Sequence, residues 1–262
     1  MLTDKVCIVT GAGRGIGRAT AQEMARRGAK VVAAGVSDEN GEETVRLIEA
    51  DGGEAAYVHC DVREEAQIEA LMEATLERFG GIDVLHNNAG THETYFTDHA
   101  LLEELPTDIW TRVIEVNLRG PWLTTKHAIP HLRRSKRGPN IINCGSTGGL
   151  LGFSPGSAYC PSKAGVIHLT RLTAIEVAPE IRCNSYCPGS TDTPMVERYL
   201  EAAEDREATE RGMAATHLIP RMAEPVEIAN LVCFLASDEA SFITGANYIA
   251  DAGALAWRGS HV

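Results

Sequence analysis

The sequence has no CxxC pair, no excess of basic residues and no long apolar run, and each absence removes a class of function. Its seven cysteines (Cys7, Cys60, Cys144, Cys160, Cys183, Cys187 and Cys233) are odd in number and scattered, which argues against a disulfide framework and fits a reducing compartment. Most stand in apolar runs such as VCIVT and LVCFL and are expected as small core hydrophobes. Asp and Glu number 36 against 24 Lys and Arg, a formal net charge of −12, so a binder of nucleic-acid phosphates is not expected. No stretch approaches the ~20 apolar residues of a membrane helix. The opening MLTDKVCIVTG lacks the basic-then-apolar pattern of a secretory leader, so no membrane partner is expected and the expected location is cytoplasmic.

What the sequence does contain is an alternation. Short β-branched or apolar runs near 5–10, 29–34, 55–60, 82–87, 139–144, 181–187 and 245–250 read as strands. Amphipathic stretches near 15–28, 40–51, 64–80, 106–136, 157–178 and 225–236 read as helices. Within 40–51, Val45, Leu47 and Ile48 turn inward while Glu42, Glu43, Arg46 and Glu49 face water. Strands alternating with helices of this length predict right-handed crossovers and a mostly parallel sheet covered on both faces. With no linker, repeat or shift in composition, residues 1–262 read as one α/β domain, doubly wound around seven strands. Two stretches break the alternation. Residues 91–105 lack clean periodicity, and 190–222 form a long charged, helix-like excursion of the kind that often serves as a lid or substrate loop.

The first strand runs into Gly11-Ala12-Gly13-Arg14-Gly15-Ile16-Gly17 and then a helix. Glycines there let a pyrophosphate approach the backbone, and the helix N-terminus offers free N–H groups and positive dipole. The spacing is T-G-x-x-x-G-x-G, through Thr10, Gly11, Gly15 and Gly17, rather than GxGxxG. At the end of the second strand an acidic residue would grip a ribose 2′-hydroxyl, but Gly35 stands there and Asp38 arrives three positions late. Its absence removes a repulsion against a 2′-phosphate. Arg14 and Ser37 are the nearest groups to attract one, so the expectation leans slightly to NADP over NAD. After the third strand, Asp61 and Val62 are placed at the adenine rim, with Asp61 also read as an N-cap for the next helix. Asn88, Ala89 and Gly90 follow the fourth strand, where small residues would let the cofactor ribose lie close to the backbone.

Tyr159 and Lys163 are four apart, which on a helix puts phenol and ammonium on one face. A nearby cation favours the phenolate and would poise Tyr159 for proton transfer to or from a substrate oxygen. Ser146, just after the strand Asn140–Cys144, would point its hydroxyl into the same crevice and support a substrate carbonyl. Asn117 lies inside the helical run TRVIEVNLRGPWL, where an amide among apolar neighbours needs a reason, such as holding a water beside Lys163.

Taken together, Thr10-Gly11-x3-Gly15-Ile16-Gly17, Asn87-Asn88-Ala89-Gly90, Asn117, Ser146, Tyr159-x3-Lys163 and Pro188-Gly189 resemble the short-chain dehydrogenase/reductase family over nearly the whole chain. The resemblance implies a single doubly wound (Rossmann-type) domain, a homotetramer, and an NAD(P)-dependent oxidoreductase of secondary alcohols and ketones. It implies a catalytic set of Asn117, Ser146, Tyr159 and Lys163, with the tyrosine as acid/base, the serine orienting the carbonyl, the lysine lowering the tyrosine's pKa and holding ribose, and the asparagine supporting a relay water. It also places Pro188, Gly189, Thr191 and Thr193 along the nicotinamide. The departures are Ala252, where many members have glycine, and Gly35, which bears on cofactor choice.

Other classes fare less well. A non-catalytic nucleotide-binding protein would not need Tyr159 and Lys163. Epimerases and dehydratases on this fold carry longer C-terminal substrate regions. His127 and His131 have the spacing of two metal ligands on a helix, but Pro130 lies between them and no third ligand is evident, so no metal is expected. Arg133, Arg134, Lys136 and Arg137 end a long helix, where cations complement the dipole. Substrate walls are expected from 91–99, 147–156 and 190–216, with Leu150, Leu151 and Phe153 as an apolar rim and Met195, Tyr199 and Leu200 closing above. The expected substrate is a moderately apolar secondary alcohol or ketone, with a 3-oxoacyl-thioester (acyl-carrier-protein) reductase as the runner-up.

Overall fold

The computed structural model describes residues 2–201, 203–257 and 259. Its centre is a seven-stranded sheet formed by β1 (Val6–Thr10), β2 (Lys30–Gly35), β3 (Glu54–His59), β4 (Val84–Asn87), β5 (Asn140–Cys144), β6 (Arg182–Pro188) and β7 (Asn247–Ala250). The spatial order is β3-β2-β1-β4-β5-β6-β7, and every neighbouring pair is parallel. The winding direction reverses between β1 and β4, and ligands of open parallel sheets bind outside the strand carboxyl ends at that reversal.

Helices cover both faces, which is why the central strands are apolar at consecutive rather than alternate positions. Cys7, Val9, Val31 and Ala33 point to one layer, packed by Met24 of α1 (Gly15–Arg26), Ile48 of α2 (Asp38–Ala50) and Val232 of α9 (Pro225–Ala236). Ile8, Val32, Leu85 and Ile141 point to the other, against Leu71 of α3 (Glu65–Phe79), Leu123 of α5 (Gly120–Leu132) and Ala174 of α6 (Tyr159–Val177). Five of the cysteines are buried, as expected of small hydrophobes, and Cys144 and Cys160 are half-buried. Among the described residues no helix is long and apolar enough to cross a membrane.

Three stretches refine the sequence expectations. The single helix expected over 106–136 begins as α4 (Thr107–Ile114), widens into a π-turn at Glu115–Arg119 and continues as α5. A π-turn inserts one residue into the helical ladder and often marks a functional position; here it carries Asn117. The irregular stretch 91–105 holds one short 3₁₀ turn at Glu93–Tyr95. The charged excursion folds into α7 (Pro194–Glu201) and α8 (Arg206–Ala215).

Candidate active site

The carboxyl ends of β1, β4, β5 and β6 bring the motif residues together. After β1 the chain turns through Gly11 (φ +64°) and Gly15 (φ +53°) into α1. A Cβ on Gly17 would stand 2.2 Å from the Gly11 carbonyl oxygen and 2.5 Å from Asn88 Nδ2, so only glycine lets α1 start so close to the strand end. Arg14 occupies the N-cap with extended backbone, no side chain caps the helix, and no acidic residue lies in its first turn. Uncapped first-turn N–H groups with the positive end of the dipole suit a pyrophosphate, so these residues fit a dinucleotide. Asn88 braces the turn. Its Nδ2 donates to the carbonyls of Thr10 (3.0 Å) and Gly11 (3.2 Å), while Thr10 Oγ1 accepts from the backbone N–H groups of Asn88 and Ala89. Thr193, beyond β6, reaches the same turn, with its methyl 3.2 Å from where a Gly15 Cβ would sit. Thr191 is buried and donates to the Gly189 carbonyl, and Gly189 N–H donates to Ala250 at the end of β7.

At the end of β2 the late-arriving carboxylate occupies a defined position. Asp38 Oδ1 is hydrogen-bonded to His59 Nδ1 (2.7 Å) and accepts from Tyr57 Oη (2.8 Å), and the same Tyr57 hydroxyl lies 2.7 Å from the Gly35 carbonyl. The bonds from His59 and then Tyr57 hold the Asp38 carboxyl below its ordinary range. Ser37 Oγ accepts from Asn40 Nδ2 at 2.6 Å. Asp61 does not cap α3, whose N-cap is Glu64; its carboxylate instead takes the Arg63 guanidinium and backbone N–H. Val62 packs beneath Gly120.

The candidate reacting groups gather where β5 ends. Tyr159 opens α6, and Lys163, one turn on, is 3% exposed and donates from Nζ to the Cys144 carbonyl (2.8 Å). That Nζ lies 5.7 Å from the Tyr159 ring centre. Ser146 follows β5; its hydroxyl accepts from Gly148 N–H (3.0 Å) and lies close enough to the Tyr159 phenol to help pull its pKa down. A Cβ on Gly149 would meet the Lys163 carbonyl carbon at 2.7 Å, so the Ser146 turn sits directly on α6. Asn117 is fully buried, and both ends of its amide are engaged. Oδ1 accepts from Thr91 N–H (2.8 Å), and Nδ2 donates to the Thr91 carbonyl (2.9 Å) and Ser162 Oγ (3.1 Å). Gly90 lies beside both, its notional Cβ 3.5 Å from Lys163 Nζ and 3.6 Å from Asn117 Oδ1.

A match to the family described as enoyl-(acyl carrier protein) reductase spans residues 11–254. The chain belongs to the short-chain dehydrogenase/reductase family. It is an NAD(P)-dependent oxidoreductase. Among the relatives of this short-chain dehydrogenase/reductase is cis-4-hydroxycyclohexanecarboxylate dehydrogenase of Sinomonas cyclohexanicum, 42% identical over 95% of this chain and 96% of that protein. The 3-oxoacyl-(acyl-carrier-protein) reductase of Thermotoga maritima is 38% identical over 93% of this chain and 95% of its own length. The ligand-free structure of Thermoplasma acidophilum aldohexose dehydrogenase superposes with a TM-score of 0.88 at 36% identity, covering 100% of this chain and 98% of that one.

In this short-chain dehydrogenase/reductase, burial pushes the Tyr159 phenol up from its usual range, while the Lys163 charge and the Ser146 hydroxyl pull it back. The wall beside the phenol is aromatic. His92 lies 4.9 Å from the Tyr159 ring and stacks on Phe153 at 6.1 Å, and Phe153 is 5.9 Å from Tyr159. Leu150, Leu151 and Phe153 are exposed, as a rim should be, and Arg198 of α7 donates to the Tyr95 carbonyl, joining the excursion to the 91–96 stretch. Leu200 is 2% exposed. His127 turns to Glu65 of α3 (2.8 Å), an oxygen shared with Lys126 (2.6 Å), and His131 does not join that group. Sequence reading missed His92, Glu93 and Ser162. His92 and Glu93 stand in the stretch without clean periodicity, and Ser162 fills an unspecified position of the Tyr159-x3-Lys163 motif; contact with Asn117 and with the start of α6 singles them out.

Proposed function

We propose that the enzyme interconverts a moderately apolar, alicyclic secondary alcohol and its ketone, with Tyr159 as general acid/base. The observation that carries this is the Lys163 ammonium, anchored on the Cys144 carbonyl, 5.7 Å from the Tyr159 ring centre, with Ser146 close enough to help lower the phenol's pKa. In the reducing direction Tyr159 gives its phenolic proton to the substrate oxygen, and in the oxidising direction it takes that proton back. Ser146 donates to the same oxygen and orients it. Lys163, anchored on the Cys144 carbonyl, stabilises the phenolate. Asn117 acts as a brace between Thr91 and α6, since its amide is spent on Thr91 and Ser162. When bound along Gly11–Gly17, Asn88–Gly90 and Pro188–Thr193, the nicotinamide dinucleotide supplies or accepts the hydride.

The aromatic wall of His92, Phe153 and Tyr159 and the leucine rim favour an apolar ring, and the Sinomonas relative is named for a hydroxylated cyclohexane ring that bears a carboxylate. A 3-oxoacyl-thioester reductase is the second reading, favoured by the Thermotoga relative; the net charge of −12 disfavours docking an acidic carrier. A homotetramer and a cytoplasmic location complete the proposal, supported by the family resemblance and the unpaired cysteines.

On the dinucleotide, Gly35 alone leans to NADP, but Asp38 reverses that lean. A carboxylate held charged by His59 and Tyr57 at the same strand end repels a 2′-phosphate and suits a ribose 2′-hydroxyl. NADH is therefore expected to bind more tightly than NADPH, and Asp38→Asn to shrink the ratio of their dissociation constants by about tenfold. Titration of each reduced dinucleotide by fluorescence checks this, and an unchanged ratio sinks it.

Lys163→Met tests the proton path. Without the ammonium the phenolate is less stable, so the proton leaves Tyr159 only at higher pH. Alcohol oxidation needs the phenolate, and its rate should rise with pH along a limb displaced upward, with kcat near neutrality lower by about 100-fold. An oxidation pH profile superimposable on that of the unaltered enzyme would exclude a role for Lys163 in tuning Tyr159.

A further inference from the structure

The helix that carries Tyr159 begins without a cap of its own. Its N-cap residue is Ala158, which has no side-chain acceptor, and Pro161 in the first turn has no N–H to satisfy. Of the remaining first-turn donors, Cys160 N–H reaches the Gly156 carbonyl at 2.9 Å. The N–H groups of Ala158 and Tyr159 are taken by a residue 65 positions away from Ala158, Glu93: Oε1 accepts from Ala158 (3.0 Å) and Oε2 from Tyr159 (3.2 Å). Glu93 is 0% exposed, although it lies in the irregular stretch after β4. His92 Nδ1 stands 3.6 Å from Glu93 Oε2, and the His92 ring faces the Tyr159 ring.

A buried carboxyl group is costly to place and serves best where both oxygens have partners. Here both partners belong to the turn that sets where the phenol points, and acidic groups at a helix N-terminus also complement its dipole. We infer that Glu93 is a positioning residue for the reaction: it caps α6 from outside the helix and thereby holds Tyr159 between Ser146 and Lys163. It does not touch substrate or cofactor. The inference rests on the proposed acid/base role of Tyr159.

Glu93→Gln keeps size but offers one acceptor and one donor to two N–H groups, so one of them loses its partner. The first turn then shifts, and a misplacement near 1 Å at a reacting group costs about 100-fold. For Glu93→Gln we expect kcat to fall by about 10- to 100-fold, with dinucleotide affinity unchanged within about twofold. The phenol would lose alignment with Ser146 and Lys163, so the limb of the alcohol-oxidation pH profile should move up by about one unit. Glu93→Asp, which restores two acceptors on a shorter stem, should recover part of both effects; it also carries the test if Glu93→Gln yields no folded protein. A role in stability alone would lower the melting temperature and leave the pH limb in place, which overturns the inference. Tyr159→Phe is measured alongside. If that variant stays active, the parent mechanism fails; if it is inactive while Glu93→Gln behaves as the unaltered enzyme, only the inference about Glu93 fails.

Discussion

Tyr159→Phe is expected to lower kcat in both directions by about 10³-fold or more while leaving dinucleotide affinity nearly unchanged. The substitution removes one oxygen and with it the only proton the mechanism moves on the protein side. Properly placed acid/base groups contribute about 10²- to 10⁴-fold. Affinity should survive because the phenol braces none of the groups expected to hold the dinucleotide: the glycine turn, Asn88 and the residues after β6 lie on other elements. Steady-state kinetics with equilibrium dinucleotide titration checks both halves. Activity within tenfold of the unaltered enzyme would remove Tyr159 from the chemistry.

Gly17→Ala carries the second large effect, this time on binding and folding together. The added Cβ would lie 2.2 Å from the Gly11 carbonyl oxygen, a backbone atom, and 2.5 Å from the Asn88 amide that braces the turn. The carbonyl cannot yield without moving α1 away from β1. Overpacking of this kind costs about 1–3 kcal/mol in ordinary cores, and displacing α1 also turns its first N–H groups from the pyrophosphate position. The expected result is a melting temperature lower by several degrees and dinucleotide affinity reduced by about 100-fold, since the lost phosphate contacts are charge-assisted hydrogen bonds. Gly52→Ala is a useful contrast: Gly52, unlike Gly17, has a positive φ (+80°), but its Cβ would meet nothing within 4 Å, so only the local backbone preference is lost and binding should be untouched.

The central strands β1 and β2 were legible in the sequence because they are buried on both faces and read as nearly unbroken apolar runs. Cys7, Ile8 and Val9 face opposite layers in turn, yet none is polar. The glycine turn, Ser146, Tyr159 and Lys163 were legible because short-range spacing decides their geometry: one helical turn separates Tyr159 from Lys163, and one tight turn joins β1 to α1. The π-turn at Asn117 was hidden, since the apolar period of TRVIEVNLRGPWL runs on as if nothing interrupted it, and the partners of its amide, Thr91 and Ser162, lie far along the chain. Glu93 was hidden for the same reason: its partners are set by tertiary packing. Asp38 was visible but read as too late to matter, because the two side chains that fix it, Tyr57 and His59, come from β3. Spacing predicts local geometry well and long-range capping poorly.

The most direct test of the central claim is label transfer from NADH deuterated at C4, in each stereochemical sense, to a cyclohexanone bearing a carboxylate and to unsubstituted cyclic ketones. The account predicts consumption of the reduced dinucleotide and a product alcohol carrying deuterium at its carbinol carbon from one face of the ring only, with the transfer lost in Tyr159→Phe. A chain that binds the dinucleotide but delivers no label to any ketone, and takes none back from the matching alcohols, would contradict it.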